Sequence, residues 1–140
     1  MEKRFQSNVK RLRSMNDLSL AQFVGSSILE SILKYSGEQP VFCDCVKLIR
    51  SLPIKILPGD KMNIITEIFE SIKTTLRSLG KPVGADDILP ILEFILIRGN
   101  IQGLGVEIRL IKDFLHPDIQ GGEKGLLFCH FFSAYKSLAK

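Results

Sequence analysis

Between Asp87 and Arg98 the chain reads Ile88-Leu89-Pro90-Ile91-Leu92-Glu93-Phe94-Ile95-Leu96-Ile97, an apolar run interrupted only by Pro90 and Glu93. Such a run has no polar face to offer water, so whatever it forms must be covered on all sides. Periodicity alone does not separate a buried strand from a buried helix here, but the length up to the next stop at Gly99 favours a helix. It falls well short of the roughly 18 apolar residues that a membrane span needs. A helix apolar nearly all round must sit at the centre of a domain, and the rest of the chain has to supply its cover. Pro90 then falls in the first turn or just past it, where a missing N–H costs little.

The other elements are legible as helical stripes. Pro58-Gly59-Asp60 starts the clearest, with Met62, Ile65, Ile68, Phe69, Ile72, Leu76 and Leu79 on one face and Gly80 as its stop. Leu104 to Leu115, through Ile108, Ile111 and Phe114, reads as another helix, stopped by His116-Pro117. Gly121 to Gly125 leads into a last one carrying Leu126, Leu127, Phe131, Phe132, Tyr135 and Leu138. Upstream, Ser19 caps a helix predicted to reach about Tyr35, with Leu20, Phe23, Val24, Ile28, Ile32 and Leu33 at helical spacing before Ser36-Gly37. Pro40 opens a shorter one through Cys43, Val46, Leu48 and Ile49 that stops before Pro53. No period-two strand pattern competes. The expected architecture is all-α, a layered helical domain of about six helices.

Bulk properties narrow the function. A chain of 140 residues with 45% hydrophobic and 24% charged residues can bury a core as one domain and is no disordered tail. Met1 to Ser7 contains no apolar core for a secretory signal, which points to a cytosolic protein. The three cysteines, Cys43, Cys45 and Cys129, are odd in number and irregular in spacing, so no disulfide framework is expected. Cys43 and Cys45 with His116 or His130 do not make a zinc set at usual spacing, and small buried hydrophobes are the better reading. No metal is expected. The net charge of +4 comes largely from Lys3, Arg4, Lys10, Arg11 and Arg13 against Glu2 and Asp17. Residues 1–18 read as a basic segment or helix with a solvated face, ahead of a single helical domain at 19–140. No basic, aromatic-interleaved face continues beyond it, which argues against nucleic acid.

Covalent chemistry finds no home. Gly121-Gly122-Glu123-Lys124-Gly125 lacks the Lys-Ser/Thr of a phosphate loop and follows no strand, and His116 and His130 have no triad partners. No cofactor is expected. The one odd feature is Asp86-Asp87 directly before the apolar helix. Capping of free N–H groups and attraction to the helix dipole explain two carboxylates there without any further function.

Gly84-Ala85-Asp86-Asp87-Ile88-Leu89-Pro90, continuing to Arg98-Gly99-Asn100, resembles the signature of the Vps-nine (vacuolar protein sorting nine) domain family. Pro58-Gly59-Asp60-Lys61 resembles the family's Pro-x-Asp-Lys. Gly122-Glu123 resembles the Gly-Glu before its last helix, with Ser133-Ala134 as the following small pair. The likeness covers residues 52–138, and Leu104 to Leu115 and Gly122 to Phe128 are more like the alsin-like branch than the endosomal prototypes.

The resemblance implies a layered all-helical domain that exchanges guanine nucleotide on a Rab-family small GTPase of the Rab-five group. It also allows peripheral association with early endosomes through a parent protein. By position Asp86 is the family's acidic finger, the catalytic residue that competes with nucleotide phosphate for the GTPase's phosphate-loop lysine. Asp87 caps the helix, Pro90 fixes its start, and Asn100, Gly122, Glu123, Leu126 and Cys129 complete the residues expected around the GTPase. Leu126 and Cys129 stand where the prototypes carry Tyr and Thr. Two rivals remain at this point: a non-catalytic, GTPase- or partner-binding adaptor of the same fold, and an unrelated helical adaptor that shares a short motif.

Overall fold

A computed structural model of the protein describes residues 1–36, 42–80, 84–115 and 122–140, with the side chains of 35, 36, 85 and 86 outside that description. Within it the chain forms eight α-helices: α1 (Glu2–Leu12), α2 (Asp17–Val24), α3 (Ser27–Ser36), α4 (Cys43–Ser51), α5 (Pro58–Ser78), α6 (Ala85–Gly99), α7 (Leu104–Phe114) and α8 (Glu123–Leu138). A 3-10 turn, Leu52–Ile54, follows α4. The described residues contain no strand, and none of their helices is long and apolar enough to cross a membrane. The fold is all-α, with two more helices than the stripes suggested.

The apolar run is α6, and it is the centre. Ile91, Leu92, Phe94, Ile95, Leu96 and Ile97 are all buried, covered by α8, α4, α2 and α1. Pro90 is the sixth residue of the helix, so a single bond to the Asp86 carbonyl is lost. Glu93 enters this stretch protonating more readily than a free carboxyl, because burial pushes its pKa up while Ser137 and Lys140 partly oppose the shift.

The C-terminal end of α6 is a joint. Asn100 adopts the left-handed conformation (φ 51°) and its N–H donates to the Leu96 carbonyl at 3.1 Å. Gly99 lets α4 come close: a Cβ there would lie 2.6 Å from Ile49 Cγ2. Arg50 donates to the Arg98 carbonyl at 3.2 Å and the Gly99 carbonyl at 3.4 Å, satisfying groups that end the helix. Arg98 turns the other way, holding Asp17 at 2.7 Å and donating to the carbonyls of Met15 (2.8 Å) and Arg13 (3.1 Å). This joins the end of α1 and the start of α2 to the central helix.

A second fastener lies under α5. Lys61 is only 3% exposed, and its ammonium donates to the Leu52 carbonyl at 3.0 Å and pairs with Glu107 of α7. A cation so buried is tolerable only with such partners.

The segment from Ser19 to Tyr35 is two helices rather than the one expected. Asn16, not Ser19, caps the first, its Oδ1 accepting the Ser19 N–H at 2.8 Å. Gly25 ends it at φ 77°, and Ser26 Oγ accepts the Leu29 N–H at 3.0 Å to start the next. The apolar periodicity continues across the break, which hid a stop and start of standard chemistry. The basic N-terminal segment is α1, with Phe5, Val9 and Leu12 buried and its cations outward. Glu2 accepts the Tyr135 hydroxyl and the Gly105 N–H (2.9 Å), tying α1 to α8 and α7. Leu79 and Phe114, placed on buried stripes by periodicity, are exposed at helix ends. Pro40, Gly37, His116 and Pro117, read as breakers, lie outside the described residues.

Truncating Ile95 to Ala should lower stability by about 2–5 kcal/mol in denaturant unfolding. Gly99→Ala should cost about 1–3 kcal/mol through overpacking against Ile49. An unchanged midpoint for either would contradict the placement of α6.

Candidate functional site

The N-terminal turn of α6 is built around Gly84 and Asp87. Gly84 precedes the helix in extended conformation (φ −99°, ψ 159°), and its N–H donates to Asp87 Oδ2 at 3.0 Å. This is the backward half of a capping box, in which the third helical residue reaches back to the N-cap. Asp87 therefore has a local structural partner. Asp86 occupies the second helical position; its side chain, like that of Ala85, lies outside the described residues. Ile88, Leu89 and Pro90 follow half-buried, giving the first two turns of α6 a partly open apolar surface.

The helix that packs most extensively on α6 is α8. Gly122 is its N-cap and Glu123 its first residue, exposed where the helix dipole favours a carboxylate. Leu126 and Cys129 are three residues apart and share one outward face of α8. Leu126 is 58% exposed and Cys129 is exposed beside it, while Leu127, Phe128 and Phe131 point into the core. With more than half its surface open, Leu126 gains little from burial in the fold. Cys129 is thus not the buried small hydrophobe that its composition suggested, and neither is Cys43; Cys45 is.

Asn100 stands apart. It lies at the opposite end of α6, roughly 20 Å from the Asp86 backbone along a 15-residue helix. There its backbone conformation closes the helix, and the structure does not bring it together with Asp87, Pro90, Leu126 or Cys129.

Two further residues of the recognisable motifs have tasks that sequence reasoning did not assign. Lys61 is the buried partner of Glu107, and Arg98 is the clamp on Asp17. The available signal was a charge set among apolar neighbours: Lys61 directly before Met62, Arg98 directly after Ile97.

Residues 42–140 match the model of the vacuolar sorting protein 9 (VPS9) domain. The chain belongs to this family. The match takes in both the Gly84–Asp87 turn and the whole of α8, and it overturns the reading of an unrelated adaptor. Rat alsin is 29% identical over 146 residues, covering 94% of this chain and 9% of the rat protein. Human ALS2 C-terminal-like protein is 29% identical over 102 residues, 71% of this chain and 11% of that protein. Mouse Ras and Rab interactor 3 is 34% identical over 70 residues, 47% of this chain and 7% of its own length. The VPS9-domain chain therefore spans about a tenth of these relatives or less. The likeness to alsin-type members, drawn above from α7 and the start of α8, agrees with them.

Asp87→Ala should lower stability by about 0.5–2 kcal/mol, the usual cost of a lost cap, read as a shift in thermal melting. No shift would mean that the hydrogen bond to Gly84 carries no weight.

Proposed function

We propose that this VPS9 domain accelerates guanine-nucleotide release from a Rab-type small GTPase of the Rab-five group, with Asp86 as an acidic finger. The observation that supports the reading is the cap in the Gly84–Asp87 turn. Asp87 makes the reciprocal cap with the Gly84 N–H, so the fold accounts for the second carboxylate. Family membership supports exchange in general, and one relative bears a name that states interaction with Ras and Rab proteins.

The mechanism needs no covalent step. An exchange factor stabilises the nucleotide-free GTPase, and a thousandfold acceleration requires about 4 kcal/mol off the release barrier. A carboxylate delivered into the GTPase's phosphate site competes with phosphate oxygens for the lysine there and disfavours Mg²⁺ and nucleotide. Aspartate at a helix start suits this role, because a short side chain on a fixed backbone loses little entropy when aimed. Ile88, Leu89 and Pro90 with the open face of α8, led by Leu126 and Cys129, would receive the GTPase's switch regions. Association with early endosomes would come through a parent protein.

The second reading, a domain that binds a GTPase without catalysing exchange, is favoured by Leu126 and Cys129, which lack the hydroxyls of the prototypes. Release of a fluorescent guanine nucleotide from a panel of Rab proteins separates the two. Catalytic acceleration on a Rab-five-group member is expected, abolished by Asp86→Ala with little change in melting and largely retained by Asp87→Ala. Stoichiometric binding without acceleration would replace exchange by the adaptor reading. Cys129→Thr should raise the rate or change Rab preference at nearly constant stability, with Lys124→Ala as the weak-effect control. Equal effects of the two would argue that Cys129 is remote from the interface.

A further inference from the structure

One end of the molecule carries exposed groups that take no part in the proposed nucleotide exchange. There α4 ends, α5 begins and α6 ends: Arg50 reaches the carbonyls of Arg98 and Gly99, and Lys61 reaches that of Leu52. The end of α1 is drawn to the same place by Arg98, through the Arg13 and Met15 carbonyls. Between the 3-10 turn and α5, residues Pro53 to Leu57 are all exposed. Three of them are large aliphatics in the open, Ile54 at 76%, Ile56 at 89% and Leu57 at 62%. A run of exposed aliphatics at a loop tip marks a surface that is covered by something else.

Cations outnumber free carboxylates around this tip. Lys55 lies inside it. Arg13, Lys47, Arg50 and Arg98 line a cleft of about 300 Å³ beside it, whose one carboxylate, Asp17, is already neutralised by Arg98. Arg13 also lines a neighbouring cleft with Lys10, Asn100 and Gln102. Among the described residues no ion pair engages Lys10, Arg13, Lys47, Arg50 or Lys55. Glu107 is taken by Lys61, and Asp44 and Asp60 lie in the first turns of α4 and α5.

We propose that this end of the domain docks directly on an anionic lipid surface, with Ile54, Ile56 and Leu57 entering the interface and the cations over the headgroups. Charge complementarity selects this occupant. Cores of protein interfaces are rich in aromatic residues and poor in lysine, whereas in this run the exposed apolar residues are aliphatic and Lys55 lies among them, as expected of a side chain that snorkels at a lipid interface. The placement also leaves the start of α6, roughly 20 Å away along that helix, free for a protein partner. The proposal stands independently of the exchange reading, since vesicle binding requires no GTPase.

The test is co-sedimentation of the 140-residue chain with vesicles of phosphatidylcholine alone or with phosphatidylserine. The chain should sediment with the anionic vesicles, lose affinity as salt rises, and stay in solution with the neutral ones. Lys47→Gln with Lys55→Gln should weaken partitioning more than tenfold, since each cation near such a surface is worth about fivefold. Ile54→Ser with Ile56→Ser should do so by about tenfold or more. All four side chains are exposed, so melting should not move. Failure of the parent chain to bind anionic vesicles, or binding indifferent to both pairs, overturns the proposal. So does a parent chain that forms dimers dissociated by the isoleucine pair while ignoring vesicles, which would make this end a protein contact.

Discussion

Everything in this molecule depends on burying α6. A helix apolar on nearly every side gains its stability only from what surrounds it, and four of the remaining helices are arranged to provide that cover. The cover cannot be loose, because each apolar side chain of α6 left in contact with water would give back part of the folding free energy. Polar fasteners at the end of α6 serve this arrangement, and another ties the helices beyond it. Arg50 and Arg98 close the C-terminal end and draw in α4, α1 and α2, while Lys61 and Glu107 hold α7 to α5 over the 3-10 turn. Gly99 sets how closely α4 can approach.

Burial of the middle of α6 leaves its two ends available for different work. At the N-terminal end Asp87 folds back on Gly84 and the next residues are only half-covered, which suits a surface that meets a partner. At the C-terminal end the motif residues Arg98, Gly99 and Asn100 are occupied with the fold. A signature that reads as one continuous motif is thus two: a partner-facing start, on the proposed function, and a structural stop. Asn100 illustrates the difference. The likeness alone groups it with GTPase contacts, whereas its left-handed backbone explains its presence by geometry.

Much of this was legible in the sequence because hydrophobic pattern and helix punctuation survive without coordinates. The central helix, the stripe on α5 and the buried half of α8 follow from apolar spacing alone. The break at Gly25-Ser26 did not, since Leu20, Val24, Ile28 and Ile32 keep helical phase across it. The burial of Lys61 and the clamp by Arg98 depend on partners 46 and 81 residues away, and no local pattern encodes those distances. The exposure of Leu126 and Cys129 is likewise a fact about which face of α8 meets the core, and periodicity in a helix apolar on both sides does not fix that face.

On the proposed function, negative charge at Asp86, rather than the shape of its turn, drives nucleotide release. Asparagine has nearly the same size, caps helices as well as aspartate, and cannot compete as an anion for a lysine. The direct measurement is the release rate of fluorescent guanine nucleotide from the responsive Rab with Asp86→Asn beside the parent domain, at matched melting temperature. The account predicts loss of nearly all acceleration with the fold intact. An Asp86→Asn domain that exchanges as fast as its parent would contradict it.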